Sequence, residues 1–180
     1  DQFTVKSREA LLEASRIAGA NGNPETRPSH ILAALLDQRK SVVVNLIRNV
    51  GADPLQVRRE LQAVLDSFPT STGRSEPGLA RTSRQVADEA LAIARELGDS
   101  HVACEVLLLA IERVRDRARQ VLHDFDLSGP RLQEALNVLR RGRNVEGEDA
   151  ESQYEALEKY TRDLTQDALD GNIDPIIGRD

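Results

Sequence analysis

The feature that most constrains the fold is an internal repeat. The stretch SREALLEASRIA, which begins at Ser7, aligns with SRQVADEALAIA, which begins at Ser83, at an offset of 76 residues. At the same offset Ile31 aligns with Leu107. After the loss of one residue, apolar positions still align, namely Val43, Leu46, Ile47 and Val50 with Ala118, Val121, Leu122 and Phe125. A repeat of this length predicts a folding unit used twice rather than a solenoid element.

Helical periodicity and capping signals predict four helices in each unit. In the first unit they run from Thr4 to Ala20, from Pro28 through the apolar segment that ends at Leu36, from Ser41 to Val50, and from Asp53 to about Ser67. In the second unit they run from Ser83 to Leu97, from Cys104 to Arg113, from Asp116 to Phe125, and from Ser128 to Arg140. No alternating strand pattern is present, so the predicted fold class is all-α. Two pseudo-symmetric four-helix repeats, about 4–67 and 82–140, are expected to share one core.

The C-terminal quarter differs in composition from the two repeats. Residues 141–153, RGRNVEGEDAESQ, contain two glycines and many charges, which predicts a flexible linker because little apolar surface can be buried. Helical periodicity returns from Tyr154 and ends near Asp170. The sequence therefore predicts a body over 1–140, a linker over 141–153 and the beginning of a further unit over 154–180.

Charge and composition exclude several classes of function. Residues 1–140 carry 19 basic and 19 acidic side chains, and residues 141–180 carry 5 and 11, so the net charge of −6 lies in the C-terminal part. A neutral body argues against binding to nucleic acid, because phosphate binding requires a concentrated basic face. A single cysteine fits a reducing compartment, and no apolar run approaches the roughly 18 residues of a membrane span. We therefore expect a cytoplasmic protein that does not bind membranes.

Three segments carry a resemblance to a known family. The apolar segments RPSHILAALL, Arg27 to Leu36, and VACEVLLLAI, Val102 to Ile111, resemble the two halves of the Clp repeat N-domain, which precedes the ring ATPases of the Clp family. The segment Tyr154 to Asp180 resembles the join between that domain and the first AAA+ module. The KYTRDLT motif and the inter-repeat segment are most similar to the ClpB-type disaggregases, and a ClpC or ClpA type remains the alternative. The resemblance covers essentially all 180 residues.

The resemblance implies a function for the chain and its parent protein. The parent would be an ATP-driven homohexamer that uses ATP and Mg²⁺ and threads aggregated proteins through its pore. The repeat domain would recruit unfolded or aggregated protein segments, whereas a ClpC or ClpA type would dock adaptor proteins for a protease. By the same resemblance, Ile176, Ile177 and Gly178 would form the edge of the adenine site in the full-length protein.

The resemblance also implies a substrate-binding site. Thr4, Asp99 and Glu105 match positions implicated in substrate handling, and Val106 takes the place of an apolar groove residue, where the family often has a histidine that matches His30. We expect an apolar groove where the start of the first helix meets the start of the sixth. Asp99 and Glu105 can also act only as helix caps, and the sequence leaves both interpretations open.

Catalytic and metal-binding motifs do not emerge from the sequence. A phosphate-binding loop requires Gly-Lys-Ser/Thr, and none of the three lysines, Lys6, Lys40 and Lys159, follows a glycine. His101 and Cys104 have a zinc-ligand spacing, but further ligands are not evident, so we predict no metal site. We therefore expect no enzymatic activity and no cofactor in this chain itself. A free-standing small helical enzyme is the remaining alternative from another functional class.

Overall fold

The computed structural model describes residues 2–73 and 76–151, and within these ranges it contains eight α-helices and two very short strands. The first repeat comprises α1 (Val5–Ala20), β1 (Glu25–Thr26), α2 (Pro28–Asp37), α3 (Val42–Val50) and α4 (Pro54–Asp66). The second comprises β2 (Gly78–Leu79), α5 (Arg81–Leu97), α6 (Cys104–Arg113), α7 (Arg117–Asp124) and α8 (Gly129–Arg140). The predicted all-α repeat fold is confirmed. The predictions for 154–180, including those for Ile176, Ile177 and Gly178, lie outside the described residues.

Local capping explains most of the helix boundaries. The side chains of Thr4, Ser41, Asp53 and Asp116 each accept a hydrogen bond from a backbone N–H in the first turn of the helix that follows. Proline occupies the first turn of α2, α4 and α8, where its missing N–H needs no partner. The sequence signals were therefore local and sufficient to place these helices.

The core is built around α2 and α6, the second helix of each repeat. Nine of the ten residues in each of these helices are buried, and the two helices contact each other. Around them, α3 packs on α8 and α4 packs on α7, so helices of different repeats share one apolar interior. The predicted buried stripe of the third helix in each repeat is confirmed, namely Val43, Leu46, Ile47, Ala118, Val121 and Leu122.

A reciprocal exchange of short extended segments relates the two repeats by a pseudo-two-fold axis. β1 pairs in parallel with β2, with Thr26 opposite Leu79, and Phe3 forms a parallel bridge with Val102. Phe3 and Leu79 are equivalent at the offset of 76, and so are Thr26 and Val102. In each repeat, the residues before the first helix therefore pair with the loop before the second helix of the other repeat.

Two serine side chains form equivalent hydrogen bonds between the repeats. The Ser7 hydroxyl donates to the Val102 carbonyl at 2.8 Å, and the Ser83 hydroxyl donates to the Thr26 carbonyl at 2.8 Å. Both serines are buried in the first turn region of the first helix of their repeat. Because buried hydroxyls need a partner, this pair explains why the aligned segments of both repeats begin with serine.

Residues 145–151, which we call the tail segment, pack against the body. Val145, Ala150 and Glu151 are buried, and Ala103 completes a small apolar cluster with the first two. The Ser100 N–H donates to the Val145 carbonyl at 2.8 Å, and the Val5 N–H donates to the Glu148 carbonyl at 3.1 Å. Composition indicated that 141–153 cannot bury enough surface to order itself, whereas Val145, Ala150 and Glu151 lie buried against Ala103 and the starts of α1 and α6. The flexibility of the linker stays a prediction.

Candidate functional site

The structure places the predicted substrate-handling residues at one end of the body. Thr4 is buried at the N-terminus of α1, where its hydroxyl accepts from the Ser7 N–H at 3.2 Å. The Thr4 N–H donates to the Val102 carbonyl at 3.0 Å, which ties α1 to the loop that carries Asp99 and leads into Glu105. The spatial grouping of Thr4 with this loop therefore arises from the segment exchange between repeats.

A buried ionic cluster joins Asp99 and Glu105 to the last residue of α8. The Arg140 guanidinium donates to both oxygens of Asp99, at 2.9 and 2.8 Å, and to Glu105 Oε2 at 3.2 and 2.9 Å. Both carboxylates are completely buried as side chains, and Arg140 is 6% exposed. Asp99 Oδ1 also accepts from the Val145 N–H at 3.0 Å. The cluster holds α5, α6, α8 and the tail segment together.

Burial dominates the acid–base behaviour of this cluster. Loss of hydration is the largest cause that raises the pKa of Glu105, Arg140 lowers it and the neighbouring Glu151 carboxylate raises it, and the net value is about 7. Burial likewise raises the pKa of the Cys104 thiol well above its ordinary value. Glu105 therefore changes its protonation state near neutral pH, which is unusual for a glutamate.

Val106 lies in the core and does not line a surface groove. Its side chain is fully buried in α6, the helix that contacts α2 of the other repeat. The equivalent His30 is also buried, where Nδ1 accepts from the Arg27 N–H at 2.9 Å and Nε2–H donates to Asn23 Oδ1 at 2.9 Å. Valine needs no such partners, so the histidine of the first repeat is a structural residue.

The expected groove between the starts of α1 and α6 is occupied in this structure. The two helix starts contact each other through Phe3 and Val102, and the tail segment covers them. None of the side chains of Thr4, Asp99, Glu105 and Val106 offers surface to a partner in this conformation. Their assignment to substrate binding stays a prediction.

An apolar pocket that the sequence did not predict lies between α1 and α5, beneath β2. The pocket has a volume of about 190 Å³, and both repeats supply its walls. Leu11 and Ala87 are equivalent wall positions, and so are Ile31 and Leu107. The remaining lining residues are Ser15, Thr26, Pro77, Leu79, Ser83 and Val86.

Leu79 forms an accessible apolar edge of this pocket. Its side chain remains 47% exposed, although β2 holds its backbone against Thr26. Leu12, the residue after Leu11 in α1, is 73% exposed. The sequence analysis did not single out Leu79, and its equivalence to Phe3 at the offset of 76 is the signal that could have indicated a packed role.

Neither a metal-binding cluster nor a membrane-spanning helix occurs in residues 2–73 and 76–151. Within these ranges no group of three or more His, Cys, Asp or Glu side chains has the arrangement needed to hold a metal ion. No helix in the same part of the chain combines the length and the apolar character required to span a membrane.

Comparison with known proteins adds independent evidence. Residues 2–125 match the family described as the Clp repeat (R) N-terminal domain. Over 98% of its length the chain is 40% identical to the chaperone protein ClpB of Corynebacterium diphtheriae and 38% identical to that of Mycobacterium bovis. The chain spans 21% of the length of each of these relatives.

Solved structures agree with this match. The Hsp104 N-terminal domain from Candida albicans superposes with a TM-score of 0.75 at 19% identity, covering 83% of this chain and 99% of that one. The N-terminal domain of the ClpV1 ATPase from E. coli superposes with a TM-score of 0.66 at 25% identity, covering 78% of this chain and 86% of that one. The chain belongs to the Clp repeat N-terminal domain family and is similar to the ClpB chaperones.

Proposed function

We propose that this chain is the substrate-recruiting N-terminal domain of a ClpB-type disaggregase, and that the pocket between α1 and α5 takes apolar side chains of unfolded or aggregated proteins. The observation that carries the proposal is the apolar pocket with the half-exposed Leu79 at its edge. Unfolded chains have exposed apolar side chains in common, so a module that recruits them needs an accessible apolar surface with a polar surround.

The size of the pocket supports a peptide rather than a small molecule. Sites for small molecules usually have volumes of about 300–1,000 Å³, whereas this pocket has about 190 Å³. Such a volume suits one or two apolar side chains from an extended segment. The backbone of that segment would remain near the surface, which allows many different sequences to bind weakly.

The parent protein follows from the similarity to ClpB chaperones, of which this chain spans about a fifth. We infer a cytoplasmic homohexameric ATPase that uses ATP and Mg²⁺, with residues 176–178 at the edge of the adenine site. The chain itself carries no Gly-Lys-Ser/Thr motif, so the ATPase activity would reside in other parts of the parent.

An adaptor-docking function is the second candidate. It is favoured by a structural likeness, with a TM-score of 0.57, to the N-terminal domain of ClpD from Arabidopsis thaliana, which is described as a caseinolytic protease associated chaperone. An adaptor is a folded protein with one defined surface, whereas the first candidate function requires binding to many unrelated unfolded chains. The two functions therefore differ in the partners that the isolated domain binds.

The test is a titration of the chain with two unrelated unfolded proteins, each kept unfolded by reduction and alkylation. Leu79→Ser should weaken binding by about tenfold, because a buried leucine contributes roughly 1.5–3 kcal/mol. Leu55→Ser is the matched control, since Leu55 is 73% exposed on α4 and does not line the pocket. Thermal melting of both variants checks that they remain folded.

Two outcomes would contradict the proposal. If the unaltered chain binds neither unfolded protein, recruitment by this domain alone is wrong and adaptor docking becomes the better account. If it binds them but Leu79→Ser and Leu55→Ser have equal effects, recruitment stands and the assigned pocket is wrong.

A further inference from the structure

Two buried carboxyl groups meet where the tail segment reaches α6. Glu105 is fully buried in the first turn of α6, and Glu151, the last residue of the tail segment, is 1% exposed. Glu151 Oε2 accepts from the N–H of Cys104, the first residue of α6. The Glu151 charge acts directly on the protonation of Glu105, so the two carboxyl groups are electrostatic neighbours.

Each of these carboxyl groups has an oxygen atom that lacks a hydrogen-bond donor. Among the described residues, Glu105 Oε1 and Glu151 Oε1 are buried without a hydrogen-bond partner. Buried polar atoms are normally satisfied, and an unsatisfied charged oxygen is the most unfavourable case. A proton on Glu105 would convert one of its oxygens into a donor and remove one of the two negative charges.

Charged groups on several elements surround the pair. Arg140 on α8 is the cation bonded to Glu105, and it is shared with Asp99 from the loop before α6. Asp99 and Glu105 thus share one guanidinium, and Glu151 brings a third buried carboxyl group to the same region. Further charged or titratable groups that face this region from α1, α6, the α5–α6 loop and the tail segment are Lys6, Arg8, His101, Cys104 and Glu148.

The number of buried carboxyl groups depends on whether the tail segment is docked. With the tail segment detached, Glu105 and Asp99 keep Arg140, and Glu151 is in water. Docking brings a third carboxyl group into the cluster and also buries Val145 and Ala150 above it. The unfavourable electrostatic free energy therefore arises in the docking step.

We propose that the tail segment is a detachable clamp on the start of α6, and that it docks with the uptake of one proton by Glu105 as the Glu151 carboxylate is brought near it. Docking is then favoured at low pH and weakens as pH rises. The clamp covers the junction of α1 with the Val102 loop, so its detachment uncovers the region of Thr4 and Glu105. Proton uptake thus controls access to the end of the domain at which the predicted substrate-handling residues lie.

The direction of the pH effect follows from the pKa of Glu105. The pKa of Glu105 is about 7 with the tail segment docked, and the Glu151 carboxylate that docking brings in contributes to raising it. Glu105 therefore binds more protons in the docked state than in the detached one. Docking therefore weakens as pH rises through 7. Between pH 6 and pH 8 the docking constant should fall by about tenfold.

The test measures backbone hydrogen exchange in the whole 180-residue chain at pH 6, 7 and 8, corrected for the intrinsic exchange rate at each pH. The reporting amides are those of Cys104 and Val145, which donate to Glu151 and Asp99, and the amide of Ser100, which donates to the Val145 carbonyl. Their protection should decrease by about tenfold from pH 6 to pH 8. Amides in the middle of α2 serve as the internal reference and should not change.

Variants of Glu105 and Glu151 test whether the pH dependence of docking comes from these two carboxyl groups. Glu151→Gln keeps an oxygen acceptor for the Cys104 N–H and gains an amide that can donate to Glu105, so protection should change less than about twofold over this pH range. Glu105→Gln should behave in the same way. Glu146→Gln is the matched control, because Glu146 is an exposed carboxylate in the same segment, and it should retain the tenfold change.

The outcomes decide the proposal in each case. It is overturned if protection in the unaltered chain is independent of pH, if the reporting amides are unprotected throughout, or if Glu151→Gln retains the tenfold change. If Glu105→Gln does not fold, Glu151→Gln against Glu146→Gln decides alone, because Glu151 lies outside the helical core.

Discussion

The two repeats fill the same space, between the end of the fourth helix and the loop that joins the first two helices, with different side chains. In both, the fourth helix ends near the loop that joins the first and second helices, and residues at equivalent positions fill the space. The first repeat has Asn23 and His30 there, and the second has Asp99 and Val106. Asn23 donates to the Pro69 carbonyl at 3.1 Å and accepts from His30, while Phe68 packs against the imidazole at 5.4 Å. Arg140 takes the corresponding space in the second repeat.

The difference indicates which repeat responds to a change in pH. The network of the first repeat is neutral, and each ring nitrogen of His30 has a partner. The second repeat has an ionic cluster with one guanidinium, and buried carboxylate oxygens of Glu105 and Glu151 lack partners. A satisfied neutral network rigidifies its surroundings, whereas an unevenly charged one responds to pH and to the loss of any member. The pseudo-symmetric backbone therefore holds one fixed site and one responsive site.

Removal of the shared cation should have the largest effect. Arg140→Ala leaves Asp99 and Glu105 buried without a counter-ion, which should lower the free energy of unfolding by about 3–5 kcal/mol. Arg59→Ala, at an exposed arginine on α4, should change it by less than about 0.5 kcal/mol. Urea unfolding at pH 7.5 measures both values. An equally small effect for Arg140→Ala would contradict the view that the cluster holds the second repeat together.

The limits of sequence-based prediction follow the same division. Helices, caps and the buried stripes depend on residues within one or two turns, and the sequence placed Leu46 and Val121 correctly. In the ionic cluster Arg140 binds Glu105 and Asp99, which lie 35 and 41 positions earlier in the sequence. No local sequence pattern indicates that pairing. The burial of Val145 is also non-local, because its partners lie on the α5–α6 loop. For the same reason, Asp99 and Glu105 had the helix-end positions expected of caps, while their burial and their common partner were not predicted.

The two sites should respond to pH in opposite directions. Burial and the nearby Arg27 lower the pKa of His30 to about 4, below its ordinary 6.5, so its contribution to stability is complete above pH 6.5 and is lost as pH falls toward 4. The pKa of Glu105 is raised from 4.5 to about 7, so its contribution is complete below pH 4.5 and is lost as pH rises through 7.

Thermal melting between pH 4.5 and pH 8 of two variants separates these contributions. His30→Val should remove part of the decrease in melting temperature on the acid side, and Glu105→Gln should remove part of the decrease on the neutral side. Each variant is the control for the other, because the sites lie in different repeats. If one variant changes both sides of the profile equally, the two repeats do not titrate independently and the comparison fails.

The smallest expected effect concerns the N-terminal caps of the first helix in each repeat. Thr4 caps α1 through its hydroxyl, whereas Ala80 at the equivalent position of α5 has no side-chain cap. Thr4→Ala makes the first repeat like the second in this respect and should lower the free energy of unfolding by about 1 kcal/mol. Thr82→Ala, inside the first turn of α5, is the control and should be neutral or slightly stabilising because alanine favours helix interiors. Binding of an unfolded protein, measured on the same samples, separates a structural role from a recruiting one. A loss of affinity in Thr4→Ala without a loss of stability would show that Thr4 acts on substrate, and equal affinity with lower stability would show that its role is the cap.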